Sequence, residues 1–81
     1  MFCCYVLQSQ KSGRFYIGHC EDVQLRLYDH NRGHVRATRN KGPWAVVYTE
    51  SFHTRPEAAA REREIKSWKS RGAIEALIQN G

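Results

Sequence analysis

The sequence has no apolar run approaching the ~18 residues of a membrane-spanning helix, so a helical integral membrane protein is excluded. No basic stretch followed by a long apolar run opens it, and the expectation is a cytoplasmic chain without a secretory leader. Cysteine is scarce and poorly spaced. Cys3, Cys4 and Cys20 are odd in number with two adjacent, which is not a disulfide framework; free thiols suit a reducing compartment. No C-x-x-C is present, and adjacent cysteines on a strand point to opposite faces, which argues against a zinc site built from Cys3, Cys4, His19 and Cys20. Large apolar side chains are few as well. Leu, Ile, Val and Phe supply 16 of 81 residues, near the level at which chains stop folding. Nine aromatics and seven alanines move the balance back, because each ring buries a large area. There is no linker, repeat or low-complexity segment, and the length predicts one domain over residues 1–81.

Acids are outnumbered, 8 against 13 bases, for a net charge of +5. Arginine leads lysine nine to four. Its planar fork suits phosphate and stacks on bases, so a polyanion is the first partner to consider. The plainer reading of the same numbers is a solvated surface with a mild basic excess.

Residues 2–8 (Phe-Cys-Cys-Tyr-Val-Leu-Gln) and 14–18 (Arg-Phe-Tyr-Ile-Gly) read as strands joined by a turn at Gln10-Lys11-Ser12-Gly13, an antiparallel hairpin. Residues 21–32 read as a helix. Glu21 and Asp22 favour its dipole, Val23, Arg26, Leu27 and His30 share a face, and Gly33 stops it. Residues 32–43 carry Arg32, His34, Arg36, Arg39 and Lys41 with no acid and end at Gly42-Pro43, which predicts a mobile basic loop. Residues 44–52 make a third strand. Thr54-Arg55-Pro56-Glu57 is a capping box opening a helix that runs to about Arg71 and stops at Gly72, and a short helix follows over 73–79. The order β-β-α-β-α-α predicts an α+β fold, with a three-stranded, mainly antiparallel sheet flanked by helices.

Polar residues in core-facing positions break this pattern. Arg26 and His30 lie one turn apart on the face that carries Val23 and Leu27. Snorkelling at the core rim would explain them as well as function would. Glu62 falls in the stripe Ala58, Ala59, Glu62, Ile65, and a carboxylate there needs an arginine, a cap, a metal ion or its i+4 neighbour Lys66. Tyr5 and Tyr16 sit on neighbouring strands and could pair across the hairpin. Trp44 and Trp68 read as core.

Taken together, these residues resemble the GIY-YIG nuclease family. Tyr16-Ile17-Gly18 is the second motif letter for letter, about ten residues after Cys4-Tyr5-Val6. Tyr5 would be the final tyrosine of the first motif, with Cys3 and Cys4 standing where the family has Gly and Ile. Arg26 followed by His30 matches the family's helix. The stretch from Thr38 to Trp44 matches the basic loop before the third strand, and Glu62 aligns with the metal-binding glutamate. The similarity spans residues 2 to about 78 and is to short standalone bacterial members, similar in catalytic core to the incision subunit of nucleotide excision repair. The family often has a later asparagine, and Asn80 is the nearest candidate.

The resemblance implies a metal-dependent endonuclease that hydrolyses DNA in repair or recombination and leaves RNA open as a substrate. Glu62 would hold one Mg²⁺ or Mn²⁺, a hard cation otherwise bound by waters and phosphate. Arg26 would bind the scissile phosphate. Tyr5 would be the general base, its phenol lowered from a pKa of about 10 by Arg26 and the metal. Tyr16 would orient water or phosphate, and His30 would relay a proton or hold Tyr5. Gly18 would let the nucleic-acid backbone approach. Arg32, Arg36, Arg39, Lys41, Lys66 and Lys69, with Arg71, would neutralise phosphates, giving weak or structure-dependent specificity and salt-sensitive binding. The protein would act as a monomer or weak homodimer. A catalytically silent nucleic-acid-binding module and a partner-binding accessory protein are the other readings.

Overall fold

Four consecutive residues of the first strand, Cys4, Tyr5, Val6 and Leu7, are buried in the computed structural model, which describes residues Met1–Gly81. An unbroken buried run requires cover on both faces of a strand, and β1 (Phe2–Ser9) has it. It lies between β2 (Phe15–Cys20) and β3 (Trp44–Phe52), antiparallel to both, in the order β2-β1-β3. The α+β architecture and the element order are those expected. No helix is long and apolar enough to cross a membrane.

Alternation along β1 sorts its side chains into two cores. Tyr5 and Leu7 join Cys20 and Trp44 beneath Val23 and Leu27 of α1 (Val23–Asn31). Cys4 and Val6 join Ile17, Ile65 and Ile74 beneath α2 (Arg55–Trp68) and α3 (Arg71–Asn80), with Trp68 packed at the edge. Full burial of a side chain the size of Ile65 is worth roughly 1.5–3 kcal/mol.

Local chemistry sets the boundaries. Asp22 is the N-cap of α1 and accepts from the backbone N–H of Gln24 and Leu25, so this helix begins at Val23 rather than Glu21. The capping box of α2 is complete, with Thr54 N–H donating to Glu57 and Glu57 N–H to Thr54. The expected stop at Gly72 is incorrect. Lys69 takes the left-handed conformation (φ 48°) and ends α2, Ser70 caps α3, and Gly72 lies inside that helix.

Residues 32–43 do not form the free loop expected. A 3₁₀ turn over Arg36–Thr38 drives Thr38 inward until it is buried. Trp44 donates from its indole to Thr38 O at 3.2 Å, and Ser9 donates to Lys41 O at 2.6 Å while accepting from Lys11 N and Ser12 N. Asn31 clasps the backbone of Trp44 through both its side-chain atoms. The loop is thus bonded to the hairpin turn and to the base of β3.

Candidate active site

Tyr5, Tyr16, Arg26 and His30 meet on the α1 face of the sheet. The strand register places Tyr5 opposite Gly18 and Tyr16 opposite Leu7, so the two tyrosines are diagonal neighbours, their ring centroids 6.4 Å apart, rather than directly facing. The His30 ring stands edge-on to Tyr16 at 4.7 Å. The Tyr5 hydroxyl lies 3.0 Å from His30 Nε2, and His30 Nδ1 lies 2.7 Å from Thr38 Oγ1. Tyr5, His30 and Thr38 are each no more than 2% exposed, so the three form a buried polar chain.

Burial dominates the electrostatics of this chain. Burial pushes the Tyr5 phenol up to about 12, and the Arg26 guanidinium beside it only partly opposes this. Burial, reinforced by the charge of Arg26, lowers His30 to about 4, so the imidazole is neutral near pH 7. The hydroxyl of Tyr16 has no partner within the protein, and its ring is half-buried. Of the two tyrosines, Tyr16 is the one that can meet a water or a phosphate.

Gly18 lies against the Tyr5 ring. A Cβ at this position would lie 2.6 Å from the Tyr5 hydroxyl and 2.7 Å from Cζ. Gly18→Ala is therefore expected to displace the ring and cost about 1–3 kcal/mol by overpacking, measured by urea denaturation. Combined with Tyr5→Ala it should cost less than the two single changes together; strict additivity would show that the methyl is absorbed elsewhere.

Glu62 projects from α2 on the other side of edge strand β2. Its stripe is as expected, with Ala58 and Ile65 fully buried on either side. His19 Nδ1 lies 2.7 Å from Oε1, and Lys66 Nζ lies 2.6 Å from Oε2. Burial raises the carboxyl, but Lys66 and His19 outweigh it and hold Glu62 below the usual range, as a carboxylate. Lys66 is half-exposed, and its ammonium also lies 6.0 Å from the centroid of the Tyr16 ring. This contact ties the two halves of the site together around β2. An open cleft of about 670 Å³ is lined by His19, Arg26 and Arg55.

Other expected positions scatter. Arg36 is exposed, Arg32 borders a polar cleft that reaches His30 and Thr38, and Arg39 donates to Gly33 O at 2.9 Å. Lys41 shares a cleft with Lys11 and Arg14 of the hairpin, two cations the sequence reading omitted. Lys69 belongs to the α2–α3 junction. Asn80 lies with Trp68 and Leu77 in an apolar groove, away from the site. His19 and Thr38 were also missed as site residues. The alternation of β2 could have put His19 on the Ile17 face, whereas nothing local marks Thr38.

The family model described as the GIY-YIG catalytic domain matches residues 1–75. The chain belongs to the GIY-YIG family. A UPF0213 protein of Halobacterium salinarum is 40% identical over 75 residues, 91% of this chain and 95% of that one. Another, of Staphylococcus saprophyticus, is 36% identical over 72 residues, 88% of this chain and 87% of the relative. The solution structure of a UPF0213 protein from Bacillus halodurans is similar with a TM-score of 0.60 and 33% identity, covering 98% of this chain and 84% of that one. The GIY-YIG domain is that of a nuclease family, whose substrate is nucleic acid and whose members generally use divalent metal ions.

Proposed function

We propose that this GIY-YIG protein is a metal-dependent endonuclease that hydrolyses phosphodiester bonds in DNA with weak or structure-dependent specificity, serving repair or recombination. The observation that carries this reading is the arrangement around β2: a half-exposed arginine and a free phenol on one side, an ionised carboxylate on the other, with Arg26 and the Glu62 partner His19 in the wall of one cleft.

The donor set fits one hard cation. No three His, Cys, Asp or Glu side chains gather to hold a metal, so the protein offers the single carboxylate of Glu62, as suits Mg²⁺ or Mn²⁺ completed by water and phosphate. Glu62 already carries a cation, the Lys66 ammonium. When bound, the metal supplies Lewis-acid stabilisation of charge on the phosphate oxygens.

The chain's own residues do the rest. His19 fixes the carboxylate of Glu62. Arg26, with five N–H donors and a permanent charge, holds the scissile phosphate and meets the charge that grows on it. Tyr16, its hydroxyl free of partners in the protein, hydrogen-bonds and orients the attacking water or the phosphate. Tyr5, buried and bonded to His30, braces Arg26. Lys11, Arg14 and Lys41, with Arg32, Arg36 and Arg39, line the approach of the strand.

A specific observation favours a second reading, the silent binding module: both oxygens of Glu62 are taken by His19 and Lys66. One experiment separates the two. Labelled duplex, single-stranded, flapped and branched DNA are incubated with the protein in Mg²⁺, Mn²⁺ or EDTA. Cleavage with either metal and none in EDTA is the expected result. Substrates that are shifted on a gel yet stay intact in every metal would establish the module.

A further inference from the structure

We propose that Thr38 is a positioning residue of this site, fixing the tautomer of His30 and, through it, the polarity of the buried hydrogen-bond chain beside Arg26. This deepens the nuclease reading and rests on it. The carrying observation is the unbroken chain of buried polar groups from Tyr5 through His30 to Thr38.

The Thr38 hydroxyl donates outward to Val35 O at 3.4 Å. Its oxygen therefore accepts at 2.7 Å from His30 Nδ1, which must carry the proton of the neutral ring. His30 Nε2 is left with a lone pair and accepts the Tyr5 hydroxyl hydrogen at 3.0 Å. Tyr5 then presents only lone pairs to Arg26, a group that can only donate. Each buried donor has an acceptor.

The opposite polarity fails at its far end. With Thr38 donating to Nδ1 and Nε2–H donating to Tyr5, the phenol hydrogen would face a guanidinium and find no acceptor. Buried donors without partners are rare in native proteins. Thr38 thus selects the arrangement in which Tyr5 attracts Arg26.

The placement of Thr38 gives this a wider sense. It is the buried inner residue of a loop whose exposed positions Arg36 and Arg39 are cationic. Trp44 pins its carbonyl from β3. The loop proposed to contact the strand's phosphates is therefore also the loop that sets the polarity of the chain behind the phosphate-binding arginine. Histidines in catalytic and metal sites are commonly oriented by such an outer partner.

The test reads the tautomer directly. Long-range ¹H–¹⁵N spectra of the full chain, labelled at histidine and free of substrate, are expected to show the His30 proton on Nδ1. Thr38→Val, which keeps the volume and removes the hydroxyl, should move that proton to Nε2. It should also lower kcat for DNA cleavage about tenfold or more, with a smaller change in KM. Thr38→Ser should restore both, which a purely structural role in the 3₁₀ turn does not require. Wild-type His30 protonated on Nε2 would overturn the proposal, as would a Thr38→Val protein that folds and keeps tautomer and kcat unchanged. If Thr38→Val fails to fold, the wild-type spectrum and Thr38→Ser still decide. A wild-type protein that cuts nothing in any metal would overturn the nuclease reading alone, because the spectrum needs no substrate.

Discussion

Arg26→Ala is expected to lower the single-turnover rate of DNA cleavage by about 10²–10³-fold, the usual effect of removing a preorganised donor from a developing oxyanion. Arg26 is half-exposed, and its one ion pair is a loose 3.7 Å contact with Asp29. Such a pair adds little to stability, so the variant should fold normally and show its loss in chemistry. Arg26→Lys should recover only part of the rate, since an ammonium is a point charge and cannot span two phosphate oxygens. Glu62→Gln should abolish cleavage to a similar degree for the opposite reason, because it keeps the shape and removes the charge that holds the cation. The two variants then part in binding. Arg26→Ala removes a positive charge near the phosphate and should weaken a gel shift, whereas Glu62→Gln removes a negative charge, frees Lys66 and should tighten it. Loss of cleavage in both with opposite changes in binding would place both groups in one site. Normal cleavage in either variant would move the chemistry elsewhere.

How far this site could be read from the sequence depends on the kind of contact. Periodicity exposed Glu62, because a carboxylate between Ala58 and Ile65 is conspicuous on a helix, and it paired Arg26 with His30 for the same reason. Capping chemistry located the start of α2 at Thr54. Contacts across strands were harder to read. Whether Tyr5 faces Tyr16 or Gly18 is settled by hairpin register, and only the folded hairpin, closed by Ser9 and Gly13, places Gly18 under the ring. His19 and Glu62 are 43 positions apart and meet only because α2 crosses β2. Thr38 sits in a loop, where no repeating pattern tells an inward from an outward residue. Gly72 misled because a glycine after a helical run is a common stop signal. Here the break came three residues earlier, where Ser70 could cap a new helix. The depth of burial of Tyr5, which outweighs the nearby arginine in the protein on its own, is likewise not visible in the sequence.

Burial of His30 is expected to make the protein acid-sensitive. Its imidazole is held neutral, lowered to about 4 by burial and by Arg26, against about 6.5 in an unfolded chain. Between these values the unfolded state binds the proton more readily. The stabilisation is therefore complete above about pH 6.5 and is lost progressively as pH falls to about 4. Integrated over that window the loss is on the order of 3 kcal/mol, a large share of the 5–15 kcal/mol typical of a domain. The lowered carboxyl of Glu62 acts further down, with stability present above the ordinary carboxylate range and lost beneath it. Urea denaturation of wild type and His30→Gln across the His30 window isolates the effect, since groups common to both cancel in the difference. Wild type should lead by a margin that shrinks as the pH falls. The chemical reason is the hydrogen-bond polarity of the buried chain. Protonated His30 has donors on both nitrogens, so the Tyr5 hydroxyl loses its acceptor and two cations, His30 and Arg26, are forced together beside it. Activity should fall over the same window, ahead of global unfolding, as Tyr5 releases the arginine. A margin that stays constant with pH would mean that His30 takes up its proton as readily in the folded state as in the unfolded chain, and the neutral chain from Thr38 to Arg26 would have to be abandoned.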